Sequence, residues 1–163
     1  MNAEARFTDA ALRSWKQNAD RVEQFFASVT DEGLEQEIAP GRNRLVYLLG
    51  HLAAVSDSMM SLLGLGDRSH PELDTPFLKS PDRAVPQPLS AAELRTIARE
   101  IDATLWAALN RLTPAQWLER HTSVSADDFA KEPHRNRFSV LLSRTAHMQF
   151  HYGQMVLTKA RGE

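Results

Sequence analysis

The sequence predicts an all-α fold, a bundle of four long helices with a short extra helix before the last one. Three observations support this fold class. Apolar residues recur at steps of three and four along four segments, capping signals precede several of these segments, and a proline-rich stretch separates the second from the third. The 163 residues favour a single domain, residues 1–163, with a core large enough to fold unaided.

The first predicted helix presents one apolar stripe over about five turns. Thr8 is its candidate N-cap, and Gly33 lies just beyond its expected end. The stripe consists of Leu12, Trp15, Ala19, Val22, Phe26 and Val29.

The second predicted helix begins after Pro40-Gly41, with Asn43 as a candidate cap, and ends at Gly64 or Gly66. His51 borders its apolar stripe and is expected to face inwards. The stripe consists of Leu45, Leu48, Leu52, Val55, Met59 and Leu62. This segment approaches the length of a membrane span, but its polar residues favour a buried core helix, and no membrane association is predicted.

A long connection follows, since residues 67–89 hold prolines at positions 71, 76, 81, 86 and 88. Five prolines preclude a regular helix in this stretch. Connections of this length are unusual inside a compact domain and are often functional or serve as crossovers. A crossover here lets the second and third helices run parallel, whereas a tight turn would make them antiparallel.

The remaining elements carry clearer start signals. Ser90 and Glu93 form a capping-box pattern for the third helix, and Thr113 with Pro114 predicts a short helix. Residues 120–136 are predicted as loop, and the last helix is predicted from about Phe138 to Lys159. The stripe of the third helix consists of Leu94, Ile97, Ile101, Leu105, Ala108 and Leu112.

Composition excludes several classes of function. The net charge is −2 and the isoelectric point is near 6.3, so nothing favours binding to nucleic acid or to an anionic membrane. The chain has no cysteine, which excludes disulfides, thiolate ligands and cysteine nucleophiles. Its first residues lack the pattern of a secretory signal, so a cytoplasmic location is expected.

Three histidines form the candidate site. His147 and His151 are four residues apart in the last helix, which places both imidazoles on one face, and His51 lies on the second helix. If these helices face each other, three imidazoles converge as in an open zinc-type site. Without cysteine, such a ligand set favours zinc or nickel. The alternative is that each is a hydrogen-bonded core histidine, the usual role of a lone histidine on an apolar helix.

The segment Gly50-His51-Leu52, the closing pattern His147-x-x-x-His151-x-Gly153-Gln154 and the proline-rich crossover together resemble the DinB/YfiT-like family of metalloenzymes. The resemblance covers nearly the whole chain. It implies a four-helix bundle with up-down-down-up topology, a homodimer, and a divalent metal ion, nickel or zinc. The ligands that it implies are His51, His147 and His151.

The sequence departs from the family at Met148, where many relatives have glutamate. The His-Glu-x-x-His pattern of zinc proteases is therefore absent, and no catalytic residue is predicted. Among the polar neighbours, Gln154 is a candidate partner of a ligand histidine, and Tyr47 and Arg144 are candidate substrate contacts. The alternatives are that Tyr47 packs with its hydroxyl at the edge of the core and that Arg144 is solvated or forms a salt bridge. The other histidines lie in predicted loops and are expected to be exposed: His70, His121 and His134.

The resemblance also implies a function. Characterised relatives include thiol-dependent S-transferases and a thiol-dependent isomerase, which use small thiols such as bacillithiol or mycothiol. The leading hypothesis is a small-thiol S-transferase acting on a small-molecule substrate in stress or detoxification, and a metal-dependent hydrolase is its nearest variant. The alternative is a non-catalytic dimeric bundle with a structural metal or vestigial histidines. The dimer is expected to use the exposed faces of the first and third helices, or Trp117.

Overall fold

A computed structural model describes residues 2–158, and the regular elements within this range are helical apart from isolated bridges between single residue pairs. This confirms the predicted all-α class. The up-down-down-up order of helix directions stays a prediction. The helices are α1 (Ala3–Ser28), α2 (Leu45–Leu62), α3 (Ala91–Leu109), α4 (Pro114–Trp117), α5 (Ala126–Lys131) and α6 (Arg137–Met155).

Two predicted helix caps are wrong. α1 begins earlier than expected because the side chain of Asn2 accepts a hydrogen bond from the amide of Ala5. Thr8 lies inside the helix, where its hydroxyl donates to the carbonyl of Glu4. Asn43 does not cap α2, since Arg44 occupies that position without a side-chain cap.

The start of α2 is fixed from outside the helix. The amide of Arg44 donates to Asp82 in the crossover, and its guanidinium forms ion pairs with Asp82 and Glu35. A carboxylate at a helix N-terminus satisfies a free amide and opposes the positive end of the helix dipole. The crossover is therefore attached to the first turn of the helix that carries His51.

The crossover itself is more ordered than its prolines suggested. It contains a 3₁₀ turn, Pro71–Leu73, and a π-helical turn, Thr75–Lys79, each with proline within its first two positions, where the missing amide costs little. Buried Asp57 of α2 accepts hydrogen bonds from the Arg68 side chain and from two backbone amides that follow it. This carboxylate holds the first residues of the crossover against α2.

Two of the predicted starts are confirmed, and two later boundaries need correction. The capping box at Ser90 and the Thr113 cap of α4 are both present. The predicted loop 120–136 contains α5, which Ser125 caps. The last helix starts at Arg137 and ends at Met155, earlier than predicted, and Lys159 lies outside the described residues.

The long helices associate mainly in two pairs, α2 with α3 and α1 with α6. Buried aromatic and aliphatic side chains fill the space between them. Trp15 is fully buried and stacks on Trp106 at a ring-centroid distance of 6.0 Å. Trp117 is also fully buried, at 0% exposure, so it is a core residue and the suggestion that it contributes a dimer contact is wrong.

α2 has the length and apolar composition of a membrane-spanning helix, with a mean hydropathy of 1.3 over Leu45–Leu62, but 67% of that window is buried inside the protein. The core helix of a folded protein meets the same criteria because it is apolar around most of its surface. The packing therefore agrees with the core helix expected from the sequence.

Candidate metal centre

The structure brings the three predicted histidines together between α2 and α6. The Nε2 atom of His147 lies 3.3 Å from Nε2 of His51 and 3.1 Å from Nε2 of His151. One ligating nitrogen from each ring falls within 4.8 Å of the other two, and in residues 2–158 no other cluster of histidine and carboxylate side chains meets this criterion. All three side chains are half-buried.

Hydrogen bonds to the other ring nitrogen orient two of these imidazoles. Nδ1 of His51 lies 2.9 Å from the backbone carbonyl of Phe77, and Nδ1 of His151 lies 2.9 Å from Oε1 of Gln154. Because both partners are acceptors, we assign the ring hydrogen to Nδ1 in each case. The Nε2 lone pairs are then left facing the shared centre.

These residues fit a divalent metal ion. A tetrahedral ion with metal–nitrogen distances of about 2.0–2.1 Å places its nitrogen ligands about 3.3–3.4 Å apart, close to the two spacings observed. Converging lone pairs also repel one another unless a cation lies between them. Neutral imidazole suits zinc and nickel equally, so the donor set does not distinguish the two metals.

Electrostatics keep the three imidazoles neutral near pH 7. The pKa of His51 and that of His151 lie below the usual 6.5, chiefly because burial disfavours the charged ring. For His147, burial and then the neighbouring histidines lower the pKa to about 4. A neutral imidazole is the form that binds a metal ion, so no proton has to be displaced at neutral pH.

The predicted neighbours take different positions. Gln154 contacts His151, as its proposed role requires. The Tyr47 ring stacks on His51 with centroids 6.1 Å apart, and its hydroxyl donates to the carbonyl of Ser80, so Tyr47 packs the crossover against the ligand. Arg144 is half-buried one turn before His147 and forms no ion pair within residues 2–158.

Two contacts at the site were missed by the sequence analysis. The Phe77 carbonyl that holds His51 is a backbone group, and no residue type announces it. The ring of Phe150 lies 5.2 Å from that of His151 and is 62% exposed. The signal available in the sequence was a phenylalanine directly before a candidate ligand. The remaining histidines lie outside the cluster. His134 is exposed as expected, whereas His70, beside Glu72, and His121 are half-buried.

The fold and the site define a helical protein with a three-histidine cluster suited to a metal ion. A sequence model described as the DinB superfamily matches residues 14–155, which include all three histidines. The chain therefore belongs to the DinB superfamily. No curated protein matches the chain significantly.

The solved structures that share the fold include the following two. One is a DinB-like protein from Bacillus cereus ATCC 10987, with a TM-score of 0.66 and 21% identity over 91% of this chain and 88% of that one. The other is a conserved protein from Enterococcus faecalis, with a TM-score of 0.60 and 19% identity over 96% of this chain and 94% of that one. At these identities the likeness extends to the fold alone.

Proposed function

We propose that this chain is a cytoplasmic metal-dependent enzyme that transfers a small thiol to an electrophilic small molecule. His51, His147 and His151 would hold one divalent ion, zinc or nickel. The observation that carries the proposal is the convergence of three neutral Nε2 atoms, of which two are oriented by acceptors on the far side of their rings. The family's up-down-down-up bundle and dimer belong to the same proposal.

Three imidazoles leave at least one position open on a divalent ion, which when bound lowers the pKa of a thiol or water that it coordinates. The residues around the site orient these imidazoles. The carbonyl of Phe77 and the amide of Gln154 keep Nδ1 protonated on two rings, and the Tyr47 ring limits rotation of His51. Preorganised ligands lose less entropy when the ion binds.

The surroundings of the triad favour thiol transfer over hydrolysis. Met148, which follows the first histidine of the α6 pair, is buried in the core, so this position offers no general base. The sequence of α6 contains no aspartate or glutamate. Activation of water usually relies on a carboxylate or a histidine that accepts its proton. A thiol ionises much more readily than water and needs no such residue.

Metal content tests the site. We expect nearly one zinc or nickel ion per chain by elemental analysis of protein purified without chelator or histidine tag. His51→Ala and His147→Ala should lose the ion while keeping the helical circular dichroism of the wild type. His134→Ala removes an exposed loop histidine and should retain it. Full metal content in both triad variants, or none in the reconstituted wild type, would refute the metal centre.

Thiol consumption tests the reaction. With an aryl halide, transfer forms a carbon–sulfur bond, releases halide and sends the thiol proton to solvent. We expect the metal-loaded wild type to accelerate this loss of thiol, and the His147→Ala variant to leave the uncatalysed rate. A stoichiometric ion that does not exchange, together with no acceleration for any thiol, would favour the non-catalytic bundle with a structural metal.

Pairing with a second copy is tested separately, by light scattering of the purified chain. The exposed faces of α1 and α3 are the proposed contact, because Trp117 is buried within its own subunit. A charge reversal on the exposed surface of α1, such as Arg21→Glu, should weaken the dimer if this face is used. A monomeric mass at high protein concentration would contradict the dimer.

A further inference from the structure

Arg144 differs from the other partly buried arginines of the protein. Within residues 2–158, each of the others forms an ion pair with a carboxylate, whereas Arg144 forms none. The paired set consists of Arg44, Arg68, Arg95, Arg135 and Arg137. A partly desolvated guanidinium without a counter-charge is unfavourable, so this exception requires an explanation.

The reason for the missing partner lies in the two helices that build the site. α6, which carries Arg144, contains no aspartate or glutamate. The one carboxylate of α2 belongs to Asp57, and it is already paired with Arg68. No neighbouring element supplies a carboxylate within ion-pair distance of Arg144 in residues 2–158. The guanidinium of Arg144 therefore has no ion-pair partner in residues 2–158, because neither helix offers it a free carboxylate.

Arg144 is close enough to influence the histidine cluster. It precedes His147 by three residues, which places the two side chains on the same face of α6. Burial is the largest cause of the lowered pKa values of His51 and His147, and the positive charge of Arg144 lowers both further. The positive charge of Arg144 thus acts on the cluster before any ion is added.

We propose that Arg144 binds a carboxylate of the substrate or of the thiol, so that the site selects small molecules with a carboxylate near the reacting atom. A guanidinium presents paired N–H donors in a planar fork that matches the two oxygens of a carboxylate. This inference rests on the proposed function, since it names the substrate class of the same centre.

Calorimetric titration of zinc-loaded protein at pH 7.5 provides the test. The probes are 3-mercaptopropionate, its neutral counterpart 3-mercapto-1-propanol, and the sulfur-free acid butyrate. We expect the wild type to bind the mercapto acid about tenfold more tightly than the alcohol, equivalent to about 1.4 kcal/mol. Arg144→Gln should abolish this preference, and Arg144→Lys should keep part of it.

The controls separate a local contact from a general charge effect. Arg42→Gln makes the same change of charge at an exposed position in the loop before α2 that has no ion pair within residues 2–158, and it should keep the preference. Zinc content, measured on every variant, should be equal. A preference that persists in Arg144→Gln, or that is absent in the wild type, overturns the inference.

The three probes also separate this inference from the thiol proposal. If the mercapto acid binds no more tightly than butyrate, both acids depend on Arg144 and the mercapto alcohol does not bind, the thiol is wrong and the carboxylate contact stands. If both thiols bind equally in wild type and Arg144→Gln, the thiol stands and the carboxylate contact is wrong. If none of the probes binds, both are wrong. If binding of the carboxylate probes depends on Arg144, the rates of thiol transfer to acidic and to neutral electrophiles decide which reactant carries the carboxylate.

Discussion

Oε1 of Gln154 lies 2.9 Å from Nδ1 of His151, one turn along the same helix, and accepts its hydrogen bond. This contact fixes the ring orientation in which Nε2 faces the other two histidines. Outer contacts of this kind typically contribute about 10- to 100-fold to metal affinity.

The first prediction follows from this contact. Gln154→Ala should weaken zinc binding by about tenfold or more, measured by competition with a chromogenic chelator. Gln154→Glu should retain affinity, because a carboxylate also accepts from Nδ1. Gln149→Ala serves as the matched control, since Gln149 is exposed on the same helix. Equal affinity of Gln154→Ala and wild type would show that the contact does not support the site.

The second prediction concerns Gly50, which lies against the ring of Phe77. A Cβ atom added to Gly50 would meet that ring at 2.5 Å, so the aromatic side chain would have to move. Because the Phe77 carbonyl holds His51, the displacement should reach the metal centre. We expect Gly50→Ala to lower the free energy of unfolding by about 1–3 kcal/mol and to weaken zinc binding as well.

Gly153→Ala is the control for that variant. A Cβ atom at Gly153 meets nothing within 4 Å, and alanine favours the helix over glycine by up to about 1 kcal/mol. Urea unfolding of the metal-free proteins should therefore show opposite changes in stability for the two glycine variants. If Gly50→Ala proves as stable as Gly153→Ala, the Phe77 ring moves without cost and the proposed coupling is wrong.

The third prediction is a pH dependence of the metal-free protein. The lowered pKa values mean that the unfolded chain binds more protons than the folded one as the pH falls below 6.5. The stability contributed by the neutral rings is therefore complete above pH 6.5 and is lost as the pH falls towards 4. Imidazole NMR signals should show His147 titrating near pH 4; titration of all three rings at or above 6.5 would contradict this.

The fourth prediction concerns Asp102, on a cavity wall between α1, α2 and α3. Burial raises the pKa of its carboxyl to about 7, against a hydrogen bond from Ser56 that lowers it. Since the folded-state pKa lies above the unfolded value of 3.8, the folded protein holds the extra proton. The free energy of unfolding is therefore expected to fall as the pH rises from about 4 to about 7.

Asp102→Asn should remove that pH dependence, because the amide does not ionise. At pH 8 we expect it to stabilise the protein by about 2 kcal/mol, less than the roughly 4 kcal/mol of the full shift, since the side chain is partly exposed to the cavity. Urea unfolding at pH 5 and pH 8 measures the difference. Asp67→Asn, at an exposed position, should change stability by less than about 0.5 kcal/mol at either pH.

Periodicity was sufficient to predict the four long helices, whereas the approach of His51 to the other two histidines was predicted only on the condition that the two helices face each other, and the family resemblance supported it. Apolar residues at steps of three and four indicate the helices, and the spacing of four residues places His147 and His151 on the same face of α6. The cap at Thr8 is wrong because α1 begins earlier, where Asn2 accepts from the amide of Ala5, and the cap at Asn43 is wrong because the crossover residue Asp82 accepts from the amide of Arg44 at the start of α2. α5 is a short helix on the surface, without a buried residue, so no apolar stripe marked it.

Of the two hydrogen bonds that orient the ligand histidines, one could be predicted from the sequence and the other could not. Gln154 was predictable because it shares a helix with His151, and the geometry of one turn brings the two together. The Phe77 carbonyl was not, because it reaches His51 only through the packing of the crossover on Gly50. The absence of a carboxylate around Arg144 likewise depends on which elements become neighbours. These are tertiary relationships, and a single sequence contains no direct record of them.

The helices associate mainly as α2 with α3 and as α1 with α6, and the histidines lie across the boundary between these pairs. His51 and His147 are 96 positions apart along the chain. A bound ion would thus act as a reversible clasp that closes a loop as long as those closed by many disulfides, in a chain without cysteine. In the chain-entropy estimate, a cross-link over about 100 residues contributes about 4–5 kcal/mol. The stability that this cross-link adds between the two helix pairs would then depend on the supply of metal ions in the surrounding medium, and not on the redox state of that medium.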